Sequence, residues 1–395
     1  MLKCWPLYLG YNRGCVNLLK TVNLMNNEEK KKFITEVHKT YMSIRPYDGS
    51  FSLKKMKENE DKFWEIYSQR FSSLIPINLY KYRICSEQNF EAFSDDFAWF
   101  STPDEFGDIV DSTLNTDIES ELEELEKDPQ KHIRKISIAI INCMLAPYGQ
   151  TVDEKMLDLV LPLFNENGEV KPDDAKRFLN NYLPEYAGDK YASQLVNATQ
   201  LSNQQNIKDA VKGFLNVYLD FNKKIRKDSF AYSLAEEKDN LAMWETYAQG
   251  ATGFCIEYEF PNNTFLGQRM TLNLFPIYYG QKEPIKFFDI LVRGLQAKQQ
   301  VNGITYEDYA NWFLSSFTKD NSYSFQKEWR IVFTREMGGN KQSFPFAKSI
   351  ILGEKISDIN KDRLIGLAKS KGIKIYQTNP IDGTIYSVQK AETAH

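Results

Sequence analysis

Two hydrophobic periods alternate along this chain, and their order limits the folds open to it. From about residue 76 to 112, and again from about 226 to 380, apolar residues recur at every second position in short runs: LYKYR, FAWFS, FCIEYEF, EWRIVF. A period of two marks a strand with one buried face. Between these regions, from about 113 to 225, the spacing is three and four, as in IESELEELEKD, IRKISIAIINCML and IKDAVKGFLNVYLDF, which is the spacing of helices. The β core must therefore be assembled from two separated pieces of sequence. The expected class is α+β, a mixed or mainly antiparallel core interrupted by a large helical insertion. Residues 1–75 read as a helical N-terminal extension, with Phe33, Ile34, Val37 and Tyr41, then Phe63, Trp64, Tyr67 and Phe71, at helical spacing. The division is thus 1–75, a core of 76–112 plus 226–395, and an insertion of 113–225. Within the core, 285–318 reads as helix, and DINKDRLIGLAKSKG as a helix closed by Gly372.

Composition excludes several functions. A net charge of -4 argues against a dedicated nucleic-acid binder, which carries a basic excess or stripe. The five cysteines, Cys4, Cys15, Cys85, Cys143 and Cys255, form no CxxC pair and read as reduced thiols of a cytoplasmic protein. No apolar run reaches the roughly 18 residues of a membrane span, so no membrane partner is expected. The opening MLKCWPLYLGYNRGCVNLLK is broken by Lys3, Arg13 and Lys20 and does not read as a signal peptide. Met1 and Met25 both stand as starts.

The usual catalytic signatures are missing: no GxGxxG, GxxxxGK[ST], HExxH or GxSxG is present. With only His38, His132 and His395, a histidine triad or histidine-rich metal site is not expected. Chemistry must run on Arg, Ser, Thr, Tyr, Gln and carboxylates. The 22 Tyr and 26 Phe serve mainly as packing, with some Tyr and Trp available to a planar ligand. The stretch SFQKEWRIVF holds the sharpest anomaly. It places Trp329, Ile331 and Phe333 on one strand face and Glu328, Arg330 and Val332 on the other, with Gln326 two residues before Glu328. A carboxylate opening an apolar strand needs a partner or water, and both polar groups on one face suggest a shared cleft. An acidic turn, Asp104, Glu105, Asp108 and Asp111, with Glu236-x-Lys238, offers the alternative of a metal-dependent nuclease. A non-catalytic sensor that binds a nucleotide or a protein is a third class.

LYKYR, AWFSTPDEFGD, LAMWETYAQGATGFCIEY and QKEWRIVF, in this order, resemble the bacterial family catalogued as domain of unknown function 2971, over about residues 76–112 and 226–380. That family implies no activity. The set Tyr82-Arg83, Ser101-Thr102 and Gln326-x-Glu328 is also similar to the ADP-ribosyltransferases of the Arg-Ser-Glu type. That resemblance implies an enzyme that consumes NAD as substrate, by ADP-ribose transfer or NAD hydrolysis, in a toxin or phage-defence setting. No metal is implied. Arg83 would hold the phosphates, Ser101 would order the nicotinamide ribose and the glutamate, and Glu328 would stabilise the ribosyl cation. Tyr82 and Thr102 flank these residues, Gln326 helps choose the acceptor, and Trp244 or Tyr247 would stack on nicotinamide or a base. Through the helical insertion, a protein or nucleic-acid target or a regulatory partner is expected.

Overall fold

The computed structural model describes residues 25–44, 53–105, 115–145, 161–165, 170–182 with scattered positions to 197, 204–282, 284–297, 300–301, 304–334, 339–381 and 385–390. In chain order its strands are β1 (Asn78–Arg83), β2 (Phe97–Trp99), β3 (Ser229–Ala235), β4 (Phe254–Glu259), β5 (Leu274–Pro276), β6 (Tyr278–Tyr279), β7 (Gln300–Val301), β8 (Ile304–Thr305), β9 (Thr318–Lys319), β10 (Glu328–Thr334), β11 (Lys341–Ser343), β12 (Ala347–Leu352), β13 (Lys374–Ile381) and β14 (Ile385–Lys390). Eight of them form one sheet in the order β14-β13-β12-β4-β1-β3-β10-β5. Every pairing in it is antiparallel except β12 with β13, which are joined through the helix Asp358–Ser370. The chain is therefore α+β with a mixed, mostly antiparallel sheet. Gly372, at φ +66, follows that helix in the left-handed region that glycine enters without cost.

The chain divides into two compact units, 1–113 with 223–282 and 313–395, and 114–222 with 283–312. The division differs from the sequence expectation in two places. The helices before residue 75 belong with the sheet: Phe33, Ile34, Val37, Tyr67 and Phe71 lie in one core cluster with Leu79, Phe254, Trp329 and Ile331. Phe33 meets Phe71, Phe275 and Trp329 edge-on. Two polar ties reinforce the packing of the helix Asn27–Ile44. The Asn27 side chain bonds both the N–H and the C=O of Tyr279. Lys30 pairs with Glu236 at 2.6 Å with both side chains buried, and Glu236 also accepts the Trp329 indole N–H.

The second difference is the segment 283–312, which joins the helical unit. Its expected long helix is broken into Phe287–Gln296 and Tyr306–Ser316 by the β7–β8 ladder. Glu121, buried on the helix Ile118–Lys127, accepts the backbone N–H groups of Phe287 and Phe288 and so caps the former helix from a neighbour. Tyr218 packs edge-on against Phe287 and Trp312. Among the described residues of 114–222, the backbone is helical, with isolated bridges only.

A cavity in the split between two central strands

β1 and β3 are neighbours that barely pair. β1 runs in register with β4 along its whole length, and β3 with β10 along its whole length. Between β1 and β3 the only register pair is Tyr80↔Ala235. Beyond it the outer edge of β3 is taken by Ser101, whose N–H and C=O bond the C=O and N–H of Ala231 at 3.0 and 2.8 Å. Main-chain groups alternate sides along a strand, so Ser233, midway between Ala231 and Ala235, presents its N–H and C=O to the gap. The C=O accepts the Lys81 ammonium at 2.6 Å. β1 is held in place from the other side: at Gly253 a Cβ would fall 2.1 Å from the Arg83 carbonyl oxygen, so only glycine permits that approach.

A cavity of about 440 Å³ opens at this split, and Tyr82, Arg83, Ser101, Tyr247, Gln326 and Glu328 all line it. Its volume falls in the range of small-molecule sites. At one end Glu328 is 4% exposed and doubly paired. Its carboxylate takes the Lys319 ammonium at 2.6 Å and the Arg330 Nε–H at 2.6 Å. Burial alone would raise its pKa, but Arg330 and Lys319 outweigh it and hold the group well below the usual carboxylate range. Its backbone N–H donates to the Tyr279 hydroxyl at 2.8 Å. Lys319 also reaches the Gln326 Oε1 at 3.0 Å, and Gln326 donates its Nε2–H to the Tyr247 hydroxyl at 2.7 Å. At the other end Arg83 and Lys81 flank Tyr232, 5.5 and 4.6 Å from the ring centroid. Arg83 donates weakly to the Tyr232 hydroxyl at 3.4 Å.

Gln326 and Glu328 do reach the same cavity, but not as one strand face. Gln326 closes a 3-10 turn, and Lys327 at φ 41 turns the chain before β10 begins. Lys319 bridges the two side chains instead. Within β10, Trp329, Ile331 and Phe333 are in the core and Glu328 and Arg330 face the cavity, while Val332, expected on the latter face, is buried in the core cluster as well.

Two expected ligand residues lie elsewhere. Trp244 is fully buried, meets Tyr82 edge-on and donates its indole N–H to the Lys238 carbonyl, so neither ring face is open to a ligand. Thr102 is not among the lining residues; its N–H donates to the Glu105 carboxylate within a tight turn. Lys81, Tyr232, Lys319 and Arg330 line the cavity and were missed. Lys81 and Arg330 were accessible by alternation from Arg83 and Glu328; nothing local marks Tyr232 or Lys319.

The acidic residues are otherwise engaged. Asp104 pairs with Arg226 at 2.7 Å, and Glu236 with Lys30 and Trp329. Asp108 and Asp111 lie outside the described residues. Among the described residues no three His, Cys, Asp or Glu side chains gather to hold a metal ion, and no helix is long and apolar enough to cross a membrane.

A family model described as "Protein of unknown function (DUF2971)" matches residues 243–331. The matched span carries Tyr247, Gln326, Glu328 and Arg330, but neither Arg83 nor Ser101. No curated protein and no solved structure matches the chain.

Proposed function

We propose that this protein is an NAD⁺-consuming, ADP-ribosyltransferase-like enzyme working in the β1–β3 cavity. The observation that supports it is the convergence of Arg83, Ser101 and Glu328, from three distant stretches of sequence, on one cavity rich in cations and aromatic rings. Guanidinium presents a planar fork to phosphate oxygens. An ionised carboxylate beside the scissile bond stabilises positive charge that exists mainly in the transition state. In the reaction the C1′–N bond of the nicotinamide ribose breaks, and its electron pair leaves with nicotinamide. Water or an acceptor nucleophile then bonds C1′ and gives up a proton. Glu328, kept ionised by Arg330 and Lys319, accepts the ribose 2′-hydroxyl and faces the developing cation. Gln326, tied to Tyr247, borders the side from which an acceptor enters.

Nicotinamide release by the wild type and by Glu328→Gln tests the reading. The substitution keeps shape and hydrogen bonding and removes the charge, so kcat falls about 10²- to 10³-fold with little change in KM. Equal turnover removes Glu328 from the mechanism. Absence of release with water, protein and nucleic-acid acceptors removes the enzyme class. A second reading, a nucleotide sensor without turnover, draws support from one observation: both Glu328 oxygens already accept from cations. ADP-ribose binding without nicotinamide release would select it.

A further inference from the structure

Four cations line the cavity, Lys81, Arg83, Lys319 and Arg330, against the single carboxylate of Glu328. They are not equivalent. Lys319 and Arg330 share Glu328 between them. Lys81 and Arg83 have no carboxylate partner among the described residues. Lys81 has only the Ser233 carbonyl and the Tyr232 ring, and Arg83 only the Tyr232 hydroxyl and ring. Two adjacent, half-buried cations with neutral partners alone carry a cost that an anion joining them would relieve.

The groups that face Lys81 are few. On its own strand is Arg83; from β3 come Tyr232 and the Ser233 carbonyl; Tyr258 of β4 stands behind the Tyr232 hydroxyl at 3.4 Å. Glu328 and Arg330 of β10 and Lys319 of β9 act on its charge from a distance, Glu328 favouring it and the two cations opposing it. Burial first, then the Arg83 guanidinium, push the Lys81 amine well below the usual lysine range.

We propose that the gap between β1 and β3 is a phosphate subsite, in which Lys81 and the facing Ser233 main chain join Arg83, and the ligand's phosphate supplies the counter-ion that the protein omits. This rests on the nucleotide reading of the cavity but not on catalysis. It also orients the ligand: the phosphates lie at the Lys81–Arg83 end and the ribose that reacts lies at the Glu328 end. A phosphate beside Lys81 favours its charged form, so binding takes up a proton wherever the pH lies between the free and bound values of this amine. Affinity therefore falls as pH rises through the range between the free and bound values of this amine.

The experiment is calorimetric titration with ADP-ribose, inorganic pyrophosphate and adenosine, each in two buffers of different ionisation enthalpy. ADP-ribose and pyrophosphate should compete, and adenosine should bind far more weakly. Tighter binding of ADP-ribose than of pyrophosphate supports a nucleotide site with a phosphate subsite. Adenosine binding as tightly as ADP-ribose, or wild type that binds none of the three, overturns the proposal. Lys81→Met should weaken ADP-ribose binding about 10- to 100-fold, the scale of one charge-assisted hydrogen bond, and abolish proton uptake. Lys81→Arg should recover most of the affinity without uptake, because guanidinium stays charged in both states. Wild-type affinity and uptake in Lys81→Met overturns the proposal. If Lys81→Met does not fold, wild-type ADP-ribose affinity measured against pH decides: an affinity that does not fall as pH is raised through the amine's titration overturns the proposal. ADP-ribose binding with uptake but no nicotinamide release leaves this subsite standing while removing the enzyme. Nicotinamide release with Lys81→Met unchanged does the reverse.

Discussion

The two ends of the cavity are built on opposite principles. At the Glu328 end the protein satisfies itself. Carboxylate, ammonium, guanidinium, amide and two tyrosine hydroxyls form a closed network. At the Lys81–Arg83 end two cations are left facing an aromatic ring and a carbonyl. The first arrangement fixes geometry before any ligand arrives, since a buried network holds its members only when all are paired. On the phosphate-subsite reading proposed above, the second spends stability on an affinity for an entering anion. The difference predicts that the two ends respond differently to the same kind of substitution.

The sharpest contrast comes from deleting one cation at each end. Arg330→Met leaves Glu328 buried with Lys319 alone, and unfolding in denaturant should show a loss of about 3–5 kcal/mol. Arg83→Met removes a charge that no carboxylate compensates, so stability should stay within about 0.5 kcal/mol of wild type or rise. Equal losses from both would erase the distinction between the ends.

Acid offers a second way to separate them. Glu328 is held ionised far below neutral pH, so its end does not fail on mild acidification. The sensitive group sits away from the cavity: His38 stacks on Phe313 at 4.7 Å, and its Nδ1 is buried without a partner. Burial lowers its pKa from 6.5 to about 4. The unfolded chain therefore binds the extra proton first. The stability this group lends is complete above pH 6.5 and is lost progressively toward pH 4, by about 3 kcal/mol in all. His38→Phe should flatten the stability profile in that window. An unchanged profile would move the acid sensitivity to other groups.

The smallest effect tests the support beneath the closed network. Tyr279→Phe removes the acceptor of the Glu328 N–H, leaving a buried donor unpaired. The expected cost is about 1–2 kcal/mol in stability, with a further loss in nicotinamide release if the carboxylate loses its position. A neutral result would show that Lys319 and Arg330 suffice to place Glu328.

Much of this was legible in the chain. The helix Asn27–Ile44, the strand alternation of β1, β4 and β10 and the helical texture of the described residues of 114–222 followed from periods of 3.6 and 2. Arg83, Ser101, Gln326 and Glu328, grouped in the sequence through a resemblance to the ADP-ribosyltransferases, all line one cavity. Other features were hidden for physical reasons. The helix Leu241–Tyr247 spans only seven residues, too few for a period to say which aromatic faces inward; Trp244 is buried, and Tyr247 is 42% exposed. Residues 283–312 carry the same amphipathic signal as any core helix, and only the buried Glu121 reaching Phe287 and Phe288 shows where they pack. Lys81 sits on the Arg83 face of β1, yet a lysine at a strand edge reads as solvated until its neighbours are known.

The sequence by itself determined the kinds of element and the faces they bury, because backbone conformation and side-chain alternation depend on residues close in the chain. It also determined the scarcity of histidine, three in the whole chain. Tertiary structure decided that β1 and β3 meet at a single pair and then part, that Ser101 closes the edge above the gap, and that Lys319 joins Gln326 to Glu328. These are contacts between segments far apart in sequence, set by register and by which strand lies beside which. No local pattern encodes them, because the free energy that selects them comes from burying the whole core at once.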